Sequence, residues 1–368
     1  MDSEGFVLDD DRFVELLRKL IGESKHLQNN PPENVPKEDR AARHVLDVLQ
    51  PLSEECGGPL RIRPVSYVEG RGNIIVEYPG EPDGGIMSFV GCHMDVVTAN
   101  PETWSFDPFS LSVDGDKLRG RGTTDCLGHV ALLGEKRPKL KRTIVGVYIA
   151  NEENSKILGI GIDELVARGL LDNLRNGPLY WYGFATPSTM KPTQWHYPGG
   201  SINQIPGEAT VCGDCRITPF YDVQEIMDKL RSYVDELNAA GGAGGLEGLP
   251  TRGPCSKYCL PDEGLRGRLE LTFFDSHSKG IACNLDSEGF HAMTAAFTRV
   301  YGSCKPYAIT GSLPCIRELQ EAGYDVQCIG FGKMATYHAV DEYALLSDYR
   351  KGFEVMRELI RHFNSGSS

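Results

Sequence analysis

The stretch Met87-Ser88-Phe89-Val90-Gly91-Cys92 carries no charge and runs straight into His93-Met94-Asp95. A second uncharged run, Thr143-Ile144-Val145-Gly146-Val147-Tyr148-Ile149-Ala150, ends on Asn151-Glu152-Glu153. Runs of this length predict strands buried on both faces of a largely parallel sheet. A third, residues 325–329, leads through Gly330-Phe331-Gly332 toward His338. In open α/β sheets the ligand crevice lies at the carboxyl ends of the strands, so strands of common direction would bring these groups together. Asp125 joins them from the turn Arg119-Gly120-Arg121-Gly122-Thr123-Thr124-Asp125. A lone histidine after a strand is usually an ordinary one, and paired glutamates are usually solvated. Here, however, Glu152 and Glu153 stand where the buried layer should end, and adjacent like charges need a cation or solvent to relieve them. Two imidazoles with several carboxylates suit Zn2+, Co2+ or Mn2+.

Further strands are predicted at 73–78, 209–218 and 268–274, and helices at 10–21, 38–49, 223–237, 288–300, 313–321 and 348–363. The last helix spaces Phe353, Met356, Ile360 and Phe363 at helical intervals. The alternation predicts an α/β fold, a mixed, largely parallel sheet flanked by helices. Residues 187–206 are rich in Pro, Gly and Ser, and Ala239-Ala240-Gly241-Gly242-Ala243-Gly244-Gly245 reads as a linker. These breaks suggest a catalytic domain made of residues 1–181 and 245–368, with a small α+β insert at 182–244.

The 51 acidic and 38 basic residues leave a net charge of −13, a field that repels nucleic acid and anionic lipid. No apolar run approaches the ~20 residues of a membrane span, and the first residues are acidic where a signal peptide would be basic. Eleven scattered cysteines fit a reducing compartment. The expectation is a cytoplasmic protein that uses neither nucleic acid nor membrane. Cys212 and Cys215, with Cys255 and Cys259, resemble a four-sulfur site. Residues three apart on a strand point to opposite faces, however, so reduced packing cysteines are expected instead.

The ordered motifs His93-Met94-Asp95-Val96-Val97, Trp104-Ser105-Phe106-Asp107-Pro108-Phe109, Gly120-Arg121-Gly122-Thr123-Thr124-Asp125 and Glu152-Glu153 resemble the M20 metallopeptidase family. Ala185-Thr186-Pro187-Ser188-Thr189-Met190, Ile202-Asn203-Gln204-Ile205-Pro206-Gly207-Glu208 and Met334-Ala335-Thr336-Tyr337-His338-Ala339 are similar to the plant-type acetylornithine deacetylases within it. The resemblance implies a zinc-exopeptidase-like fold and a pair of Zn2+ or Co2+ ions. It implies His93 on the first metal, Asp125 bridging both, and Glu153 with His338 on the second. Asp95 would orient the His93 ring, and Glu152 would be the general base. Asn203 and Arg216 would hold the substrate, an N-acylated amino acid, Arg216 through a bidentate grip on its carboxylate.

Two departures stand against the family pattern. After Gly177-Pro178-Leu179-Tyr180-Trp181 the chain passes directly to Tyr182-Gly183-Phe184, without the acidic residue that completes the first metal's ligands. Most of the first half of the dimerisation domain is missing too, including the histidine that a partner subunit contributes in a family homodimer. His196 does not occupy that position, and Asp172, after a helix predicted at 162–171, is poorly placed to substitute. The helix after Leu127 is also short, which should expose apolar surface. The expected activity is hydrolysis of N-acetylornithine in arginine biosynthesis. The alternatives are a broader aminoacylase or dipeptidase, or a metal-binding remnant of impaired activity.

Overall fold

A computed structural model of the chain describes residues 7–132, 138–154, 156–204, 206–239, 268–274, 277–311 and 313–365. In chain order the helices are α1 (Asp10–Leu27), α2 (Asp39–Leu49), α3 (Leu127–Val130), α4 (Ile162–Ala167), α5 (Val223–Ala239), α6 (Glu288–Tyr301), α7 (Ile316–Glu321) and α8 (Leu346–Asn364). The strands are β1 (Arg61–Ser66), β2 (Gly72–Tyr78), β3 (Ile86–His93), β4 (Ser112–Asp114), β5 (Lys117–Arg119), β6 (Thr143–Ile149), β7 (Pro178–Tyr182), β8 (Thr189–His196), β9 (Thr210–Arg216), β10 (Ile281–Ala282), β11 (Ala308–Ile309), β12 (Asp325–Ile329) and β13 (Tyr343–Leu345).

The central sheet has the order β1-β2-β6-β3-β7-β12. Its β6, β3, β7 and β12 strands are parallel, and β1 and β2 add an antiparallel edge. The sheet is thus mixed and largely parallel, as expected. Alternation along the strands sends Phe89, Tyr180 and Tyr182 into one core, with α1, α2, α6 and α8. Val90, Leu179 and Trp181 enter the other, with α4 and α7. That two-sided burial explains why β3 and β6 are so apolar. On α1, Phe13, Leu16, Leu17, Leu20 and Ile21 form the buried stripe, and the Asp9 carboxylate caps the helix by accepting the Arg12 N–H.

Three expectations need correction. Residues 268–274 form no strand: among the described residues they have no partner strand, Leu269 and Phe274 are exposed, and the Asn238 amide holds both backbone polar groups of Leu269. The helix predicted at 162–171 ends at Ala167, since Gly169 has a φ of +68°, which favours glycine and stops the helix. Among the described residues, the short α3 exposes no apolar surface of its own. Leu127 and Val130 are buried, as are Tyr148 and Tyr182 on the neighbouring strands, and the Tyr349 side chain of α8 crosses beside Gly128.

Of the central sheet's strands, β1 and β7 were not predicted, nor were the short strands outside it or β8 of the insert. Arg61, Arg63 and Pro64 disguise β1, an edge strand where charge and proline are tolerated. The β8–β9 hairpin and α5 occupy most of the described part of the insert, and α5 buries none of its residues. Residues 240–267, with most of the glycine-rich run and both Cys255 and Cys259, lie outside the described residues.

Candidate metal centre

The parallel strands deliver their chemistry to one rim. His93 closes β3, Asn151-Glu152-Glu153 follows β6, and the chain beyond β12 turns back to His338. Asp125 lies between the two imidazoles, its Oδ1 2.9 Å from His93 Nε2 and its Oδ2 3.0 Å from His338 Nε2. Glu153 Oε2 is 3.1 Å from His338 Nε2, and Glu152 Oε2 is 3.8 Å from His93 Nε2. Six residues named from the sequence therefore share one pocket: His93, Asp95, Asp125, Glu152, Glu153 and His338.

Each is held from behind. The buried Glu342 carboxylate accepts the backbone N–H groups of Gly122 (3.1 Å), Thr124 (2.8 Å) and Asp125 (3.1 Å), and the Arg121 guanidinium at 2.7 Å. It clamps the glycine-rich turn onto the segment that carries His338. His129 takes part as well: its Nε2 accepts the Phe331 N–H at 2.9 Å, and burial pulls its pKa down to about 3, so the ring is neutral.

Asp95 differs from expectation. His93 Nδ1 lies 2.9 Å from the Asp95 backbone carbonyl, while the Asp95 carboxylate stands 3.6 Å from that nitrogen. The carboxylate instead accepts the N–H groups of Glu152 (3.1 Å) and Glu153 (3.0 Å). Its main hydrogen bonds thus order the glutamate turn. The ring is oriented chiefly by the main chain.

Burial would raise the Asp125 carboxyl, but hydrogen bonds to His338 and His93 hold it well below the carboxylate range. Burial pushes Glu152 up to about 8, helped by the negative charges of Glu153, Asp125 and Asp95 and opposed by His93. Burial also raises Glu153. Burial opposes protonation of His338, yet hydrogen bonds to Asp125 and Glu153 outweigh it and lift the ring to about 10. Crowded acids beside two imidazoles are a donor set that a cation could displace protons from. Glu153 Oε1 agrees: it is buried and, among the described residues, accepts no hydrogen bond. The donors fall into overlapping sets, Asp125–Glu153–His338 beside His93–Glu152–Glu153 and His93–Asp125–Cys126, with atoms within 4.8 Å in each set. Cys126 Sγ, however, faces backbone, taking the His93 N–H at 3.1 Å.

The end of β7 supplies no carboxylate. Gly183 follows it, donating its N–H to the Ile329 carbonyl at 2.8 Å. Among the described residues, the groups that share a three-residue donor set with His93 are Asp125, Cys126, Glu152 and Glu153. Asp172 is exposed and pairs with Arg175 at 3.5 Å, and His196 ends β8 on the surface. Arg216 ends β9, pairs with Asp214 at 3.0 Å, and is near enough to Tyr337 to oppose the upward push of burial on its phenol. Asn203 stands exposed in the loop between β8 and β9. Cys212 and Cys215 are free thiols on that strand.

Sequence reading missed Glu342, Asn29, Glu38, Arg71 and Asn151. Nothing local marks a polar or charged residue as buried, and these are buried only because distant segments pair them.

The profile of peptidase family M20/M25/M40 matches residues 89–362. An acetylornithine deacetylase of Arabidopsis thaliana is 54% identical, with 96% of each chain covered. One from Dictyostelium discoideum is 39% identical over 96% of this chain and 97% of its own. Those alignments run over 426 and 440 positions, longer than the 368 residues here, so each relative holds internal stretches that this chain lacks. Among solved structures, an M20 family metallo-carboxypeptidase from Sulfolobus solfataricus superposes with a TM-score of 0.62 at 12% identity, covering 98% of this chain and all of its own.

Proposed function

This chain belongs to peptidase family M20/M25/M40 and is a hydrolase of amide bonds, and from that premise we propose that it is a metal-dependent deacetylase of N-acetylornithine. The observation that carries this reading is the Asp125 carboxylate set between His93 and His338, with Glu153 beside the second ring. The name of the two curated relatives supports the substrate. The donors and the unsatisfied Glu153 Oε1 fit Zn2+ or Co2+. His93 and Asp125 would hold one ion, and Asp125, Glu153 and His338 the other.

When bound, such ions polarise the amide carbonyl and make the attacking water more acidic. Glu152 takes the proton of that water and returns it to the leaving amine. Arg216 pairs with the substrate carboxylate, exchanging Asp214 for it, and Asn203 closes on the substrate from the loop. Residues 182–244 act as a shortened lid on a catalytic domain formed by the rest. The reaction belongs to arginine biosynthesis in the cytoplasm. The direct test is amine release from Nα-acetylornithine with Co2+ or Zn2+ added, beside other N-acetyl amino acids. Release from those at equal rates would favour a broader aminoacylase.

Two expectations concern the metal. With no acid from the end of β7, the His93 side is short of ligands for the usual tetrahedral set. Purified protein should therefore retain about one ion per chain after desalting, and metal analysis finding two tightly held ions would overturn this. Binding also requires neutral His338, whose ring is protonated in the metal-free protein up to about pH 10. Proton loss then accompanies binding, so affinity should rise with pH, by about tenfold per unit for each proton released. Co2+ titrations between pH 6 and 8 that show one constant affinity would contradict the assignment of His338.

A further inference from the structure

Asn151 stands between β6 and the two glutamates, with a φ of +61°, in the left-handed region that a non-glycine residue holds only with help. The help is extensive. Its N–H donates to Glu38 Oε1 at 3.2 Å, and its Oδ1 accepts from Asn29 Nδ2 at 3.0 Å and from Arg71 Nη2 at 3.2 Å. Its Nδ2 donates to the carbonyls of Asn154 (3.3 Å) and Ile157 (2.6 Å). Glu38 and Arg71 form a bidentate pair at 2.6 and 2.7 Å. The Asn29 amide also donates to Asp95 Oδ2 at 2.7 Å.

One NH2 group of Asn29 thus ties together the two supports of the glutamate turn, Asn151 ahead of it and the Asp95 carboxylate beneath it. All five residues are buried, Glu38 and Asp95 completely. The orientation of the amide follows from its neighbours. Reversed, it would point a carbonyl oxygen at the Asp95 carboxylate, although in its present setting Oδ1 is buried without a partner among the described residues. Asn29 follows α1 and Glu38 precedes α2, so the device comes from a part of the chain far from the cluster in sequence.

We infer that Asn29, braced by the Glu38–Arg71 pair, is a positioning residue that sets where the Glu152 and Glu153 carboxylates stand. This rests on the functional reading above, in which Glu152 is the base and Glu153 a metal donor. Without the Asn29 donors the turn loses the link between its two supports, and Glu152 and Glu153 move together.

The test uses the full chain with Asn29→Leu, which keeps bulk and removes the amide. Asn29→Ser, whose hydroxyl is too short to bridge both acceptors, carries the same test should the first variant not fold. Co2+ loading is followed by its visible absorption, and kinetics on Nα-acetylornithine are measured in parallel. The expected result is a changed Co2+ absorption envelope and a kcat lowered about 10- to 100-fold, with KM within about twofold of wild type. A wild-type envelope and kcat per folded molecule would overturn the proposal, because a purely structural role lowers only the folded fraction. Should wild-type protein leave the substrate intact, the functional reading fails alone, and the Co2+ envelope still decides the role of Asn29.

Discussion

Replacing Glu152 by glutamine is expected to lower kcat on Nα-acetylornithine by about 10²- to 10⁴-fold, the usual contribution of a general acid–base group. Glutamine keeps the shape of the side chain but cannot take the proton from water. Glu152 is 8% exposed and, in the metal-free protein, its pKa is pushed up to about 8, first by burial and then by the negative groups around it. The cation donors Asp125, Glu153 and His338 are untouched by the change, so metal content should stay at the wild-type level. Steady-state kinetics with metal analysis on the same sample check both halves. Equal rates in the two proteins would remove Glu152 from the mechanism, and no release by either would favour a metal-binding remnant.

The largest stability effect is expected at Glu342. Its carboxylate and the Arg121 guanidinium, 2.7 Å apart, are 0% and 3% exposed in their side chains. Removing one partner of such a pair leaves a buried charge uncompensated, a cost of about 3–5 kcal/mol. In Glu342→Ala that charge is Arg121, and the N–H groups of Gly122, Thr124 and Asp125 lose their acceptor as well. The Arg350–Asp10 pair makes a useful comparison. It is short but substantially exposed, so Arg350→Ala should cost only about 0–1 kcal/mol. Urea unfolding of both variants measures the difference, and a Glu342→Ala loss as small as that of Arg350→Ala would refute the clamp.

How much was legible in the sequence depended on whether the signal was local. The uncharged runs of β3 and β6 announce themselves because strands buried on both faces must be apolar. The edge strand β1 has no such obligation, and its arginines hid it. Residues 268–274 show the converse error: apolar residues in an extended stretch make a strand only when another strand is free to pair with them. Asp95 lies beside His93, but its carboxylate makes other bonds than the expected one to the ring. Its two-residue spacing from His93 suggests contact with the ring, whereas its carboxylate reaches across to the turn after β6.

From the order of residues alone came the α/β class and the acids and imidazoles at the strand ends, since each is a matter of which residue stands at the end of which run; that an acid is wanting after Trp181 came from the family resemblance. Only the folded chain decided that Asp125 faces both rings, that Glu342 clamps its turn, and that Asn29, Glu38 and Arg71 stand behind the glutamates. The reason is physical. Burial of a charge, and the partner that makes it tolerable, are properties of segments far apart in the chain, and these appear only when tertiary packing has brought the segments together.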